Sequence, residues 1–100
     1  MAGPEKLFEQ RIKKYLDGIG AWYLKTYSNG VQRAGIPDLL ICVNGHFVAV
    51  EVKAENGKPS ALQIWNIDKI REAGGIAIVL YPDGFNEFKR LMVKLSEVKR

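Results

Sequence analysis

The chain has 100 residues, 47% apolar and 26% charged; this length matches one ordinary domain, and the composition excludes disordered and collagen-like classes. Its 15 basic and 11 acidic residues leave a formal charge of +4, a mild lean toward a polyanionic partner. No apolar stretch reaches the ~18 residues that cross a bilayer, and MAGPEKLFEQRIKK is charged where an export signal needs its apolar run, so neither a membrane span nor a secretion signal is expected. The lone cysteine, Cys42, excludes an internal disulfide and fits a reducing, cytoplasmic setting.

In chain order, Pro4 suits a first helical turn, and Leu7, Phe8, Ile12, Tyr15, Leu16 and Ile19 recur at helical spacing, predicting an amphipathic helix over 4–19. Ala21–Tyr27, rich in aromatics, reads as a strand, and SNGVQRAG as a loop. Asp38–Val43 and Phe47–Lys53 are β-rich runs joined by Asn44-Gly45, a strong hairpin signal. Ser60 caps a helix over Ala61–Ala73, which Gly74-Gly75 stops. Ile76–Tyr81 is a short apolar run of the kind buried on both faces, and Phe85, Phe88, Leu91, Met92 and Leu95 trace a last amphipathic helix. The order α-β-β-β-α-β-α predicts an α/β chain, a mixed sheet flanked by helices, forming a single domain over 1–100.

The hairpin carries the most informative chemistry. Glu51 and Lys53 share a strand face because side chains alternate. With Asn44-Gly45 as the two-residue turn, Val43 faces His46, and the register continued outward sets Asp38 opposite Glu51. Two carboxylates about 4.5–5.5 Å apart at Cβ repel unless a cation lies between them. Oxygen ligands favour a hard divalent ion, Mg²⁺ or Mn²⁺, and Lys53 on the same face can contact a phosphate oxygen. Metal-assisted phosphodiester hydrolysis fits this set, whereas a solvated edge hairpin is disfavoured because Glu51 interrupts an apolar run.

Pro37-Asp38, twelve residues, then Glu51-Val52-Lys53 resembles the PD-(D/E)XK nuclease signature, whose core has the same α-β-β-β-α-β order. Gly35-Ile36-Pro37-Asp38-Leu39, with Gly57, Ser60 and Gln63 downstream, resembles more narrowly the VRR-NUC family, over about Glu5 to Tyr81. The resemblance implies a restriction-endonuclease-like core. It implies metal ligands at Asp38, Glu51 and the Val52 backbone carbonyl, and a catalytic lysine at Lys53. It further implies an acidic residue from the first helix. Glu9, at the edge of the apolar arc, is the candidate, joining directly or through a water, with Glu5 the alternative. Gln63 matches the family's motif glutamine, a water-orienting or supporting role.

Lys25, Arg33 and Lys58 are candidate phosphate contacts, with Ser28 and Asn29 as backbone-touching loop residues. His46, beside the turn, reads as surface, and Trp22 and Trp65 as core or interface. Leu62, Ile64, Trp65, Ile67 and Ile70 surround most of their helix, which calls for a second partner; a second copy of the chain gives an isologous dimer. Free-standing members of the resembled family look like four-way-junction resolving enzymes. The expectation is a Mg²⁺- or Mn²⁺-dependent, structure-specific DNA endonuclease, a homodimer resolving Holliday junctions in phage or mobile-element recombination and repair, without membrane or organic cofactor. Cleavage of flaps, nicks or splayed duplexes, or DNA binding without catalysis, are the alternatives.

Overall fold

The computed structural model describes residues 2–27 and 34–98. Pro4 opens helix α1 (Pro4–Gly18), where its missing N–H leaves no bond unmade. Phe8, Ile12 and Leu16 are its buried stripe, and Glu9 is buried beside them. Strands β1 (Trp22–Lys25), β2 (Leu39–Val43), β3 (His46–Val52) and β4 (Ile76–Leu80) form one sheet in that spatial order. β1, β2 and β3 run antiparallel, and β4 joins β3 in parallel after helix α2 (Ala61–Glu72). A 3-10 turn at Pro82–Gly84 leads into helix α3 (Phe85–Glu97). This is the α/β order expected, a mixed sheet flanked by helices.

The hairpin has its predicted register, from Val43↔His46 to Leu39↔Val50. Asn44 and Gly45 both have positive φ, 49° and 84°, as a type I′ turn requires. Asparagine at the first position does a second task, because its Nδ2 donates to the carbonyls of Leu95 and Ser96, each at 3.1 Å. Those are otherwise unpaired acceptors in the last turn of α3. His46, as expected, is at the molecule's periphery, where its ring meets the Val98 carbonyl.

Alternation of side chains divides the sheet into two faces. Leu39, Ile41, Val43, Val48, Val50 and Val52 pack against α1 and α3, with Phe85, Phe88, Met92 and Leu95 from the latter. Ala49 and Ala77 face the other way, against Ile67 of α2. The sheet is therefore sandwiched, but unevenly: α2 packs against β3 and β4. On the same face, Trp22 and Leu24 of β1, Cys42 of β2 and Phe47 of β3 stay exposed.

This lateral offset narrows one expectation and corrects another. Trp22 and Trp65, expected in the core or at an interface, are 62% and 49% exposed, which excludes the core. β4 is only partly buried, with Ala77 and Leu80 inside, because it forms the edge of the sheet instead of an interior strand. Among the described residues no helix is long and apolar enough to cross a membrane.

Candidate active site

The ladder between β2 and β3 ends at Leu39↔Val50, one step before the expected pairing of Asp38 with Glu51. Proline explains the break. Continued outward, the register would bring Pro37 opposite Val52, and proline has no N–H to give. Side chains take over the backbone's bonds: the Val52 N–H donates to Asp38 Oδ2 at 2.8 Å, and the Thr26 hydroxyl donates to the Pro37 carbonyl at 2.8 Å. The Asp38 carboxylate is thereby fixed at the end of β3, beside Glu51.

Glu51 is 1% exposed on the α2 side of the sheet. Its Oε2 accepts from Lys53 Nζ and from Gln63 Nε2, each at 3.0 Å. Its Oε1 is buried with no hydrogen-bond partner. Burial first, and then the charge of Asp38, push its pKa up to about 7 against the opposing pull of Lys53. For Lys53, burial pulls downward, but the bond and charge of Glu51 outweigh it and hold the ammonium above the ordinary lysine value.

The supporting parts are local and specific. Gln63 forms a capping box with Ser60, its Oε1 accepting from the Ser60 N–H at 2.7 Å, and this leaves Nε2 aimed at Glu51. Gly57 lies against Lys53, where an added Cβ would come within 3.3 Å of Lys53 Cδ; the Tyr81 hydroxyl donates to the Gly57 carbonyl at 2.8 Å. Gly35 has φ +80°, and an added Cβ would meet Leu62 Cγ at 2.7 Å and Asn66 Nδ2 at 2.9 Å. Asn66 ties the same segment to α2, donating to the Leu62 and Ala34 carbonyls. Gly35→Ala is accordingly expected to destabilise the protein by about 2 kcal/mol or more, combining left-handed strain with overpacking. Urea unfolding of wild type and variant checks this; an unchanged midpoint contradicts it.

Glu9 reaches the site through a lysine. Its Oε1 accepts from Lys25 Nζ at 2.7 Å, and the same ammonium lies 3.5 Å from Asp38 Oδ1. Lys25 thus bridges the two carboxylates, and although burial lowers its pKa, Glu9 and Asp38 together hold it raised. Glu5, the alternative, is exposed, as is Lys58. Ser28, Asn29 and Arg33 lie outside the described residues. Among the described residues no three His, Cys, Asp or Glu side chains stand close enough together to hold an ion. Asp38 and Glu51 are a pair, and Glu9 stands behind Lys25.

That pair fits a hard divalent cation. A buried carboxylate oxygen without a donor, beside a second carboxylate, is costly unless a cation meets it. A strand residue directs its N–H and C=O to one side, so the Val52 carbonyl points toward the side of Asp38, which already holds its N–H. Thr26, Asn66 and Tyr81 are supporting residues that sequence reasoning missed. Only Asn66 carried a signal, as a polar side chain amid the apolar run of α2.

Comparison with known proteins agrees with this geometry. The VRR-NUC domain model matches residues 5–83, which include Glu9, Asp38, Glu51, Lys53 and Gln63. No curated protein and no solved structure matches the chain. The match spans most of the sequence and implies a nuclease of the PD-(D/E)XK type, a class that uses divalent metals, and so DNA as its substrate. The chain belongs to the VRR-NUC family.

Proposed function

We propose that this protein is a Mg²⁺- or Mn²⁺-dependent endonuclease that cuts branched DNA as a homodimer, with four-way-junction resolution as its activity. The observation that carries the metal-dependent reading is the buried, unpartnered Oε1 of Glu51 beside Asp38, with Lys53 on the same face. Asp38, Glu51 and the Val52 carbonyl are the groups that would hold the ion, which when bound polarises a phosphoryl oxygen and acidifies a water.

The rest of the chemistry falls to the chain. Lys53 places its ammonium beside Glu51 and neutralises negative charge developing on the phosphate as water attacks phosphorus and the ester P–O bond breaks. Gln63 fixes the orientation of the Glu51 carboxylate through Oε2 and leaves Oε1 free. Glu9 positions the Lys25 ammonium against Asp38, where it can pass to a backbone phosphate. Lys58, with Ser28, Asn29 and Arg33, completes the proposed contacts to DNA.

The dimer reading is supported by apolar surface left uncovered on one side of the sheet. Trp22, Leu24 and Phe47 there, and Leu62 and Trp65 of α2, are each at least 43% exposed. Large apolar side chains left exposed on one side of the sheet suit an association surface. A second copy would bring two cutting sites to a two-fold substrate.

Labelled four-way junction, flap, nicked, splayed and linear DNA, each with Mg²⁺, Mn²⁺ or chelator, test the proposal. Paired symmetric nicks in the junction are expected. Cleavage confined to flaps or splayed ends would replace junction resolution with the flap reading. DNA binding without metal-dependent cleavage of any substrate would overturn the enzymatic reading. Light scattering at micromolar concentration is expected to give twice the monomer mass, and Trp65→Glu to give the monomer.

A further inference from the structure

Glu9 is surrounded by more positive charge than one buried carboxylate needs. Lys25 meets its Oε1 at 2.7 Å with a hydrogen bond. Two further ammonium groups converge on Oε2, Lys13 at 3.6 Å and Lys6 at 4.0 Å, yet neither bonds it, and Oε2 has no hydrogen-bond partner. Three ammonium groups, one of them shared with Asp38, stand around Glu9 and leave a local surplus of one positive charge.

Folding alone does not require it, since Lys25 already answers the buried charge and helical pairs such as Lys6–Glu9 and Glu9–Lys13 add little stability. The side chains of Lys6 and Lys13 are 52% and 26% exposed, so their ammonium groups can turn outward to solvent. They lie seven residues apart on α1, two turns along one face, and converge from both sides on Glu9. Through Lys25 the cluster is continuous with Asp38. Arg11, another cation of α1, is not part of it, because its guanidinium packs over the rings of Phe8 and Phe85.

We propose that Lys6 and Lys13 form a phosphate-binding track on α1, gripping two backbone phosphates of the DNA strand that lead up to the phosphate at the Asp38–Glu51 pair. Glu9 acts as the positioning residue, holding the lysines together until the strand arrives. The proposal rests on the nuclease reading for which strand is held, but binding can be read without cleavage.

The test measures fluorescence anisotropy of a labelled DNA duplex with chelator present, across a range of salt. Each phosphate contact contributes about 0.9 to the slope of log K against log[salt] for duplex DNA. Lys6→Gln/Lys13→Gln is therefore expected to reduce the slope by about 1.8, and each single variant by about half as much. Lys69→Gln/Lys94→Gln removes the same charge from α2 and α3 and is the control, with melting curves confirming that all variants fold. A slope for Lys6→Gln/Lys13→Gln equal to that of the control overturns the proposal, even if wild type cleaves DNA. The reduced slope without any metal-dependent cleavage by wild type upholds the track and rejects the nuclease mechanism instead.

Discussion

Lys53→Ala is expected to abolish cleavage while leaving the fold and the capacity to bind a divalent ion in place. Lys53 is half-buried at the end of β3, and its only acceptor at salt-bridge distance among the described residues is Glu51 Oε2 at 3.0 Å. Glu51 Oε2 keeps a donor in the variant, from Gln63, so no further buried oxygen is orphaned. What is lost is a positive charge in a site partly shielded from water, where one stabilising group lowers the barrier by about 3–4 kcal/mol. The initial cleavage rate should therefore fall by about 10²–10³ or more, at saturating DNA and Mg²⁺. Wild-type rates in Lys53→Ala would remove the lysine from the mechanism.

Glu51→Gln is expected to cost all activity yet stabilise the protein in the absence of metal. The folded-state pKa of Glu51, about 7, lies above its ordinary 4.5. Between those values the folded chain holds a proton that the unfolded chain has released. Stability of the metal-free protein must then fall as pH rises from about 4.5 through about 7, and level off above. Glutamine keeps an acceptor for Lys53 and Gln63 while removing the buried charge. Urea unfolding with chelator at pH 8 should show the variant more stable by on the order of 1–3 kcal/mol, with the difference vanishing near pH 5. Adding Mn²⁺ should raise the wild-type midpoint and not that of the variant. A wild type that is the more stable of the two at pH 8 with chelator would contradict the account, since it would mean the Lys53 and Gln63 bonds already satisfy the carboxylate.

Much of this site was legible because it is built on a hairpin. Asn44-Gly45 dictates a two-residue turn, and every pairing down to Leu39↔Val50 follows by counting. The count failed at its last step, where Pro37 withholds an N–H and Asp38 bonds Val52 with its side chain instead. Glu9 was legible as a polar residue at the edge of an apolar arc. Its link through Lys25 was not, because it joins residues sixteen apart on different elements. The exposed tryptophans show a further limit. Periodicity tells which side of a helix or strand is apolar, but not that α2 sits over β3 and β4 and leaves β1 bare. Thr26 and Tyr81 act through single hydroxyl bonds to carbonyls that only the folded backbone brings within reach.

The chemistry proposed for this protein depends on the Asp38–Glu51 pair holding a divalent cation. An anomalous difference map from a crystal soaked in Mn²⁺ tests it most directly. A single strong peak is expected about 2.0–2.3 Å from oxygens of both carboxylates and from the Val52 carbonyl. A map with no peak there, and with Lys25 and Lys53 still paired to Asp38 and Glu51, would contradict it.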